Sequence, residues 1–282
     1  MGNVKVNFRK AVRRMLSSSL FKRILYTPTI KNRLDHAPLA RRLYRVWDRG
    51  HPFDKQYGLD TIGFLAANEI TPDSDLVPQI VCYAGSQPSI VRKALAALGS
   101  IEDYTLIDFG CGKGRAAVVA TEFPFRRVIG IELSPALAAD ARANAASIAK
   151  RFPVRPPITI AEANVLDFTL PPGKIAIFAY HPFGLEIMTK VVTKLEAALA
   201  GDTAHIFFVY DNPVHAEALD ASPEFKRFYA QDIPYDESEI GYGVFTFDAV
   251  VIWQSVRGAV STPHKAIDRR VQVVKGKAEL AD

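Results

Sequence analysis

Three glycines stand at alternate positions in the stretch LIDFGCGKGRAAVVA, residues 106–120, directly behind an apolar run. Asp108 precedes Gly110, Gly112 and Gly114. Glycines at the exit of a first parallel strand let the backbone turn sharply and approach a ligand closely before a helix begins. The pattern therefore predicts a ligand-binding loop. The alternative is a tight strand-to-helix turn that uses glycine for steric reasons alone.

Two phosphate-binding loops do not fit this pattern. A dinucleotide fingerprint reads G-x-G-x-x-G, or ends in alanine, but Arg115 holds its last position here. A Walker A loop needs Ser or Thr after Gly-Lys, but Gly114 follows Lys113. Alternate glycines behind an acidic residue instead suit an adenosyl-amino-acid ligand, whose methionine portion would lie along the loop. Lys113 and Arg115 could orient the carboxylate of that ligand, although the sequence favours solvated side chains for both.

A glutamate ends the next apolar run, RVIGIELS. Glu132 comes 18 residues after Gly114, where a carboxylate can accept hydrogen bonds from both hydroxyls of a ribose. The alternative is that Glu132 merely caps the following helix, which Ser134 and Pro135 would start. Its combination with the glycine loop favours the ligand contact.

From Tyr104 onward, short apolar runs alternate with helical patterns. This alternation predicts βαβ units and a mostly parallel sheet with both faces covered. Residues 245–253 alternate as a closing strand should, and no element is predicted after Arg257. The predicted strands are YTLIDF, RVIGIEL, ITIAEA, KIAIFAY and AHIFFVY, and the predicted helices are GRAAVVATEF, SPALAADARANAASIAKRF and GLEIMTKVVTKLEAALAG.

Charge and periodicity divide the chain into four segments. Residues 1–50 form a basic amphipathic arm with 13 Lys and Arg against 2 Asp and Glu. The rest of the chain has 22 basic and 28 acidic residues, so the excess positive charge of the chain comes from the arm and the rest is mildly acidic. Residues 51–100 are predicted to form a helical lid subdomain, residues 101–256 the sheet domain, and residues 257–282 a polar tail.

The arm offers an apolar side to a partner. Phe8, Val12, Met15 and Leu16 fall on one side of a helix, and arginines flank them. Such a helix could insert at an anionic membrane surface, grip nucleic-acid phosphates or pack on the protein's own body. The apolar side favours the membrane over nucleic acid.

Composition disfavours several other classes. No apolar run approaches the ~20 residues of a membrane span, and no N-terminal block indicates secretion. With only two cysteines, Cys82 and Cys111, we expect a reducing, cytoplasmic setting, at the inner face of a membrane if the arm binds there. The six histidines are scattered, so no metal is expected. The sequence also lacks the G-x-S-x-G elbow of α/β-hydrolases.

The segments LIDFGCGKGR, VIGIELSP, ITIAEANVLDF and IFAYHPFG resemble the motifs of class I S-adenosylmethionine (SAM)-dependent methyltransferases, over residues 83–253. The resemblance implies an α/β, Rossmann-like methyltransferase fold with SAM as its cofactor. Its seven-stranded sheet would be mostly parallel with the last strand antiparallel, beside the N-terminal helical lid. The loop residues that would contact the methionine part are Asp108, Gly110, Gly112 and Gly114.

The same resemblance assigns the nucleoside part. Glu132 would accept hydrogen bonds from the ribose. The family often has an acidic residue after the third strand that contacts the adenine amino group. Asn164 stands there in this chain, with Asp167 three residues later, so either side chain could make that contact.

The stretch CYAGSQPSIVRKALAALG, before the glycine loop, is similar to lysine methyltransferases that lack a SET domain and to uncharacterised bacterial methyltransferases. That group includes the nucleosomal histone enzyme and mitochondrial enzymes acting on ATP synthase. By this similarity, Tyr83, Ser86 and Gln87 would close over the cofactor. A plain turn that caps the next helix is the alternative.

The segment AYHPFG, residues 179–184, partly matches the Asn/Asp-Pro-Pro-aromatic tetrapeptide of amino-directed methyltransferases. Pro182 and Phe183 are kept, and His181 replaces the Asn or Asp. We predict that Tyr180, His181 and Phe183 form the site for a nitrogen acceptor, with neutral His181 taking up a proton and the rings stabilising a cationic centre. The alternative is a rigid turn whose ring fills the core.

The sequence therefore predicts a SAM-dependent methyltransferase that acts on a nitrogen acceptor, with protein lysine as one candidate. Two alternatives stay open. One is an RNA or small-molecule methyltransferase, and the other is a non-catalytic, membrane-peripheral module that binds SAM.

Overall fold

The computed structural model describes residues 50–71, 73, 75–243, 245–259, 268–274 and 276–281. The predictions for the basic arm, residues 1–50, fall outside this set except for Gly50, and they stay predictions. In the described part of the chain, no helix has the length and apolar character needed to cross a membrane. The same residues contain no group of three or more His, Cys, Asp and Glu side chains that could hold a metal ion.

Strands and helices alternate along the described chain. The strands are β1 (Phe64–Leu65), β2 (Tyr83–Ala84), β3 (Tyr104–Phe109), β4 (Arg127–Glu132), β5 (Ile158–Glu162), β6 (Gly173–Tyr180), β7 (Thr203–Asp211), β8 (Phe225–Pro234), β9 (Phe247–Ser255), β10 (Arg270–Val274) and β11 (Lys277–Ala281). The helices are α1 (Pro52–Tyr57), α2 (Ala67–Ile70), α3 (Pro88–Ala96), α4 (Arg115–Ala120), α5 (Pro135–Arg151), α6 (Leu185–Ala200) and α7 (Ala216–Asp220), with 3₁₀ turns at Val77–Gln79 and Glu237–Glu239.

Seven of the strands form one sheet in the order β5-β4-β3-β6-β7-β9-β8. The first five strands in this order, from β5 through β4, β3 and β6 to β7, pair in parallel. Strand β9 runs antiparallel to both β7 and β8. The predicted seven-stranded, mostly parallel sheet with its last strand antiparallel is therefore confirmed. In this order β3 and β4 lie next to each other and run parallel. The glycine loop after β3 and Glu132 at the end of β4 therefore meet at the carboxyl ends of these strands.

Two apolar layers cover this sheet. Helices α3 and α4 contribute to one layer, and helices α6 and α7 contribute to the other. Neighbouring residues of a central strand face opposite layers, as Leu106 and Ile107 do in β3. Because both faces are covered, the central strands are continuous apolar runs, which the sequence pattern identifies readily.

The sequence pattern does not predict β8. This strand lies at the edge of the sheet, and a register shift between Arg227 and Tyr229 interrupts its alternation. Edge strands commonly carry charges and irregularities that prevent further pairing. Such devices remove the periodicity on which a prediction depends.

Residues 51–100 are less helical than expected. They contain α1, α2 and α3 but also the antiparallel pair of β1 and β2. The Tyr57 hydroxyl donates to Glu122 over 3.0 Å, and Ile80 forms a β-bridge with Phe183. These bonds connect the segment to the sheet domain at two separate points.

The prediction that no element follows Arg257 is wrong, because β10 and β11 form an antiparallel hairpin. Gly276 supplies the positive φ of +79° that its turn requires. Ala278 and Leu280 are buried and pack against the layer of α6 and α7. Two apolar positions on a five-residue strand that also carries charges are too few to reveal it from sequence.

A buried lysine fixes this hairpin to the sheet. Lys277 is 4% exposed, and its ammonium donates to the Phe247 carbonyl and lies 3.8 Å from Asp248 Oδ1. The rings of Phe245 and Phe247 lie 3.9 and 3.8 Å from the same nitrogen. Asp211, which is fully buried, shares this environment, and burial together with Asp248 raises its pKa well above the usual range. Lys277 is therefore the counter-charge of a buried acidic pair.

We expect Lys277→Met to lower the free energy of unfolding by roughly 3–5 kcal/mol, because it leaves a buried carboxylate without its counter-charge. Urea unfolding monitored by circular dichroism measures the change. Lys190→Met is the matched control, since Lys190 forms an exposed pair with Glu186 and should cost less than ~1 kcal/mol. Equal, small effects of both substitutions would contradict the stabilising role of Lys277.

Candidate functional site

The glycine loop between β3 and α4 is held in a backbone conformation that favours glycine. Gly110, Gly112 and Gly114 have φ values of +70°, +54° and +82°. A Cβ on Gly112 would lie 2.2 Å from the ring of Tyr83, and one on Gly110 would lie 3.1 Å from Pro182 Cβ. The loop is therefore enclosed by side chains on both sides, and its backbone is the surface that it offers to a ligand.

A cleft opens beside this loop at the carboxyl ends of β3, β4 and β6, the usual ligand position in such sheets. Its volume is about 960 Å³, including the part that is open to solvent. We call it the central cleft. The residues that the sequence singled out and that line it are Tyr83, Ser86, Asp108, Gly110, Glu132, Asn164, Tyr180 and Phe183.

Glu132 connects the glycine loop to the next helix. Its carboxylate is 5% exposed and accepts hydrogen bonds from the backbone N–H of Gly112 and of Ser134, each over 2.8 Å. Ser134 itself caps α5 by accepting from the Leu137 N–H. Glu132 therefore does more than cap a helix, because it fixes the loop from the neighbouring strand. Burial raises its pKa, and the backbone N–H groups oppose that shift.

Asp108 carries the least satisfied polar atom of the central cleft. Its side chain is 3% exposed, and Oδ2 has no hydrogen-bond partner among the described residues. Burial, with a smaller contribution from the charge of Glu132, raises its pKa to about 7 against the opposing hydrogen bond from the Ala117 N–H. A buried oxygen without a partner costs free energy, so a ligand that donates a hydrogen bond here would be stabilised.

The basic residues of the loop depart from expectation in one case. Arg115, for which the sequence favours a solvated side chain, is buried and lines the central cleft. Lys113 does not line it and instead pairs with Asp60 at 3.0 Å and Asp140 at 3.2 Å. The positions of Lys113 and Arg115 in the sequence do not indicate that only one of them is buried. Arg115 is buried because the lid segment covers it.

Several predicted cofactor residues lie near the central cleft without lining it. Gly112 lies beneath the Tyr83 ring, and Gly114 packs against Ala141 of α5. Asn164 lines the cleft, and its Oδ1 accepts from the Leu166 N–H over 2.9 Å. Asp167 is not part of the lining. Of the two residues predicted to contact the adenine, Asn164 lines the central cleft and Asp167 does not.

In the segment predicted to form the acceptor site, Tyr180, Pro182 and Phe183 line the central cleft but His181 does not. The His181 backbone has φ +34°, and its Nδ1 lies 3.3 Å from the Tyr210 hydroxyl. Burial, with a smaller contribution from the nearby His215, lowers its pKa to about 4. The lowered pKa favours the neutral imidazole, which contacts Tyr210 and does not line the central cleft.

The lid segment forms one wall of the central cleft. From the sequence, only its polar residues were predicted to contact a ligand. Tyr83 donates its hydroxyl to the Thr61 carbonyl over 2.8 Å, and Ser86 lines the cleft. Gln87 is not part of the lining, and its side-chain oxygen lies 3.0 Å from His51 Nε2. The further lining residues of this wall are Ile70, Leu76, Ile80, Val81, Cys82, Ala84 and Gly85.

Scanned against protein-family models the chain matches none, and a search of curated proteins likewise finds no match. Solved structures do match it. The 23S rRNA methyltransferase ErmE is 16% identical, over 62% of this chain and 71% of its own, with a TM-score of 0.42. The ribosomal protein L11 methylase from Lactobacillus delbrueckii subsp. bulgaricus is 16% identical, over 58% and 76%, with a TM-score of 0.39. A putative S-adenosylmethionine dependent methyltransferase from Listeria monocytogenes is 13% identical, over 59% and 98%, with a TM-score of 0.41.

The strand order, the antiparallel β9 and the glycine loop after β3 define a Rossmann-like methyltransferase fold of class I. This agrees with the fold that the four sequence motifs imply. The same topology places the acidic residue of β4 beside the glycine loop.

We expect Asp108→Asn to stabilise the ligand-free protein at pH 8. The folded-state pKa of about 7 exceeds the ordinary 3.8, so ionising Asp108 destabilises the fold as pH rises between these values. Asn cannot ionise, so the gain should vanish below about pH 4 and reach at most about 4 kcal/mol above pH 7. Urea unfolding at pH 4 and pH 8 measures it. A loss of stability at pH 8 would show that an ionised Asp108 supports the fold.

Proposed function

We propose that the protein is a SAM-dependent methyltransferase that acts on a nitrogen acceptor. The observation that carries the proposal is the meeting of two buried carboxyls, Asp108 and Glu132, with the glycine loop in one cleft. SAM presents hydroxyl and ammonium donors for these acidic groups. The incompletely satisfied Asp108 Oδ2 fits a ligand of this kind.

Each wall of the central cleft has a role in this proposal. Glu132 keeps unused lone pairs on its two oxygens, which would accept from the ribose hydroxyls. Gly110 and Asp108 would hold the methionine part. Asn164 and the apolar residues Leu133 and Val165 would surround the adenine, whose flat faces suit an apolar wall. The lining therefore combines polar and apolar groups.

When bound, SAM supplies a methyl group on a positively charged sulfur. The chain's own residues then contribute position and environment, which accounts for much of the acceleration in a reaction between two held groups. Tyr180 and Phe183 present rings to a cationic centre, an interaction worth roughly 0.5–2 kcal/mol. The placement of His181 against Tyr210 does not support its predicted role as the group that accepts the acceptor's proton.

The charge around the central cleft favours a basic protein segment, such as one presenting a lysine, as the acceptor. Residues 60–91, which include the lid wall of the cleft, contain four acidic residues and no basic ones. Glu69, Asp73 and Asp75 are exposed close to the lining residues of this wall. A lysine has an ordinary pKa near ~10.4, and desolvation between apolar and aromatic residues would favour its reactive neutral form.

RNA is the second candidate acceptor. The observation that favours it is the basic arm, with 13 Lys and Arg in residues 1–50. Arginine-rich segments bind phosphates strongly at low salt. An RNA acceptor would need this arm, because the lid wall provides no basic residue for phosphate contacts. The arm's other predicted partner, an anionic membrane surface, is compatible with either acceptor.

We expect Glu132→Gln to weaken SAM binding by roughly 1.5–3 kcal/mol, the worth of a hydrogen bond to a charged group. Gln keeps the size of the side chain and one oxygen for the loop. Isothermal titration calorimetry measures the affinity. Glu162→Gln is the matched control, because Glu162 pairs in register with Glu132 on β5 but is exposed and bonded to Arg142. Equal affinities of wild type and Glu132→Gln would remove Glu132 from the site.

We expect Phe183→Ala to lower turnover about tenfold or more while SAM affinity stays near wild type, because in the proposed arrangement the ring would contact the acceptor rather than the cofactor. His181→Asn should leave turnover close to wild type, since Asn tolerates the positive φ and His181 does not line the cleft.

The measurement for these variants is the release of S-adenosylhomocysteine with lysate fractions as acceptors, using methyl-labelled SAM. Label in protein supports the lysine proposal, and label in RNA supports the second candidate. SAM that binds without product release would identify a non-catalytic module. Wild-type turnover of Phe183→Ala would move the acceptor site elsewhere, and an inactive His181→Asn would restore the proton-accepting role of His181.

A further inference from the structure

Arg115 is a buried cation without a carboxylate partner. Arg115 is 4% exposed, and no ion pair joins its guanidinium to a carboxylate in the described part of the chain. Its nitrogens donate to neutral oxygens instead. Nε donates to Thr61 Oγ1 over 2.6 Å, Nη2 to the Thr61 carbonyl over 2.8 Å, and Nη1 to the carbonyls of Gly85 and Ser86 over 3.1 and 3.3 Å.

A charge in this position costs free energy unless something compensates it. Transfer of an ion from water into a protein interior is expensive, and buried charges are normally paired. Asp54, Glu239 and Asp60 are near enough for their charges to act on Arg115, but none of them forms a hydrogen bond with it in the described part of the chain. Asp54 reaches Arg115 only indirectly, by accepting from the Thr61 N–H and hydroxyl. Burial accordingly lowers the pKa of the Arg115 guanidinium.

The guanidinium retains capacity for one more partner. Arginine has five N–H groups, and the four hydrogen bonds to Thr61, Gly85 and Ser86 leave one on Nη2. Arg115 lines the central cleft and is the one basic residue among the described residues that do so. A ligand in the cleft would therefore meet a single positive group, opposite in sign to Asp108 and Glu132.

Gly85 gives independent support for a guanidinium fixed in this position. A Cβ on Gly85 would lie 2.7 Å from Arg115 Cζ and 2.8 Å from Nη1, which is closer than side-chain atoms approach. Gly85 does not have a positive φ, so its backbone conformation does not require glycine. The space that the missing side chain leaves is the space that the guanidinium occupies.

We propose that Arg115 is the counter-charge for the carboxylate of the ligand's amino-acid part, and that it makes the central cleft select nucleosides that carry this part over nucleosides that lack it. The inference rests on the proposed function, which it deepens by assigning the recognition of one end of the cofactor. The bonds to Thr61, Gly85 and Ser86 fix the fork before a ligand arrives, so little side-chain freedom is lost on binding.

The test compares two ligands that differ in the amino-acid part. S-adenosylhomocysteine carries the carboxylate, and methylthioadenosine has the same nucleoside and sulfur without it. We measure both affinities by isothermal titration calorimetry for wild type, Arg115→Met, Arg115→Lys, Gly85→Ala and, as a control, Arg142→Met. Arg142 is a partly exposed arginine that contacts Glu162 and does not line the central cleft. Thermal unfolding verifies that each variant is folded.

We expect Arg115→Met to weaken S-adenosylhomocysteine binding roughly 10- to 100-fold, as for a lost charge-assisted hydrogen bond, and to change methylthioadenosine binding much less. Gly85→Ala should lower the same selectivity although the arginine is present, because the new Cβ displaces the guanidinium. Arg115→Lys should retain part of the selectivity through its charge. If Arg115→Met does not fold, the ratio of the two affinities is measured with Arg115→Lys and Gly85→Ala instead. Arg142→Met should match wild type.

Equal losses for both ligands in Arg115→Met and Gly85→Ala would overturn the inference and show that Arg115 only holds the lid segment in place. The proposed function would survive that result, because wild type would still bind S-adenosylhomocysteine. If wild type binds neither ligand, the proposed function fails and the assignment of Arg115 fails with it.

Discussion

The hydrogen bond from the Gly112 N–H to the Glu132 carboxylate is the contact on which the central cleft depends. It joins the loop after β3 to the end of β4, and the second oxygen of the same carboxylate accepts from Ser134 at the start of α5. One buried side chain thus sets the positions of a strand end, a loop and a helix start. The three φ values of the loop are positive, which favours glycine, and at Gly112 the Tyr83 ring leaves no space for a Cβ.

The charges of the central cleft oppose folding in the absence of a ligand. Burial raises the pKa of both Asp108 and Glu132, while it lowers that of Arg115, so each group is held where its charged form is disfavoured. Natural proteins tolerate such groups where function needs them and stabilise the fold elsewhere. Here the sheet provides that stability, since its central strands are buried on both faces. A zwitterionic ligand would neutralise both kinds of charge at once.

The fold was largely predictable from sequence because its central strands and the glycine loop produce local patterns. β3, β4, β6 and β7 are continuous apolar runs, and Gly110, Gly112 and Asp108 follow at fixed spacing. Arg115 and His181 were misplaced because their environments are made by distant residues. Thr61 and Gly85 accept hydrogen bonds from Arg115, and the Tyr210 hydroxyl contacts His181. These partners are distant in sequence, so no local periodicity indicates the contacts. The β10–β11 hairpin was missed because its main anchor is a buried lysine, which a sequence pattern assigns to solvent.

That hairpin is connected through the backbone to the turn after β6, where the central cleft is lined by Pro182 and Phe183. The Ala278 N–H donates to Asn212 Oδ1 over 2.7 Å, and the preceding carbonyl, that of Asp211, accepts from the His181 N–H over 3.1 Å. His181 and Asn212 are the two non-glycine residues with positive φ among the described residues, and they lie at the ends of the adjacent strands β6 and β7. Strained residues persist where surrounding contacts determine them. The hairpin therefore helps to hold the turn that precedes Phe183, so this part of the central cleft depends on residues almost 100 positions later in the chain.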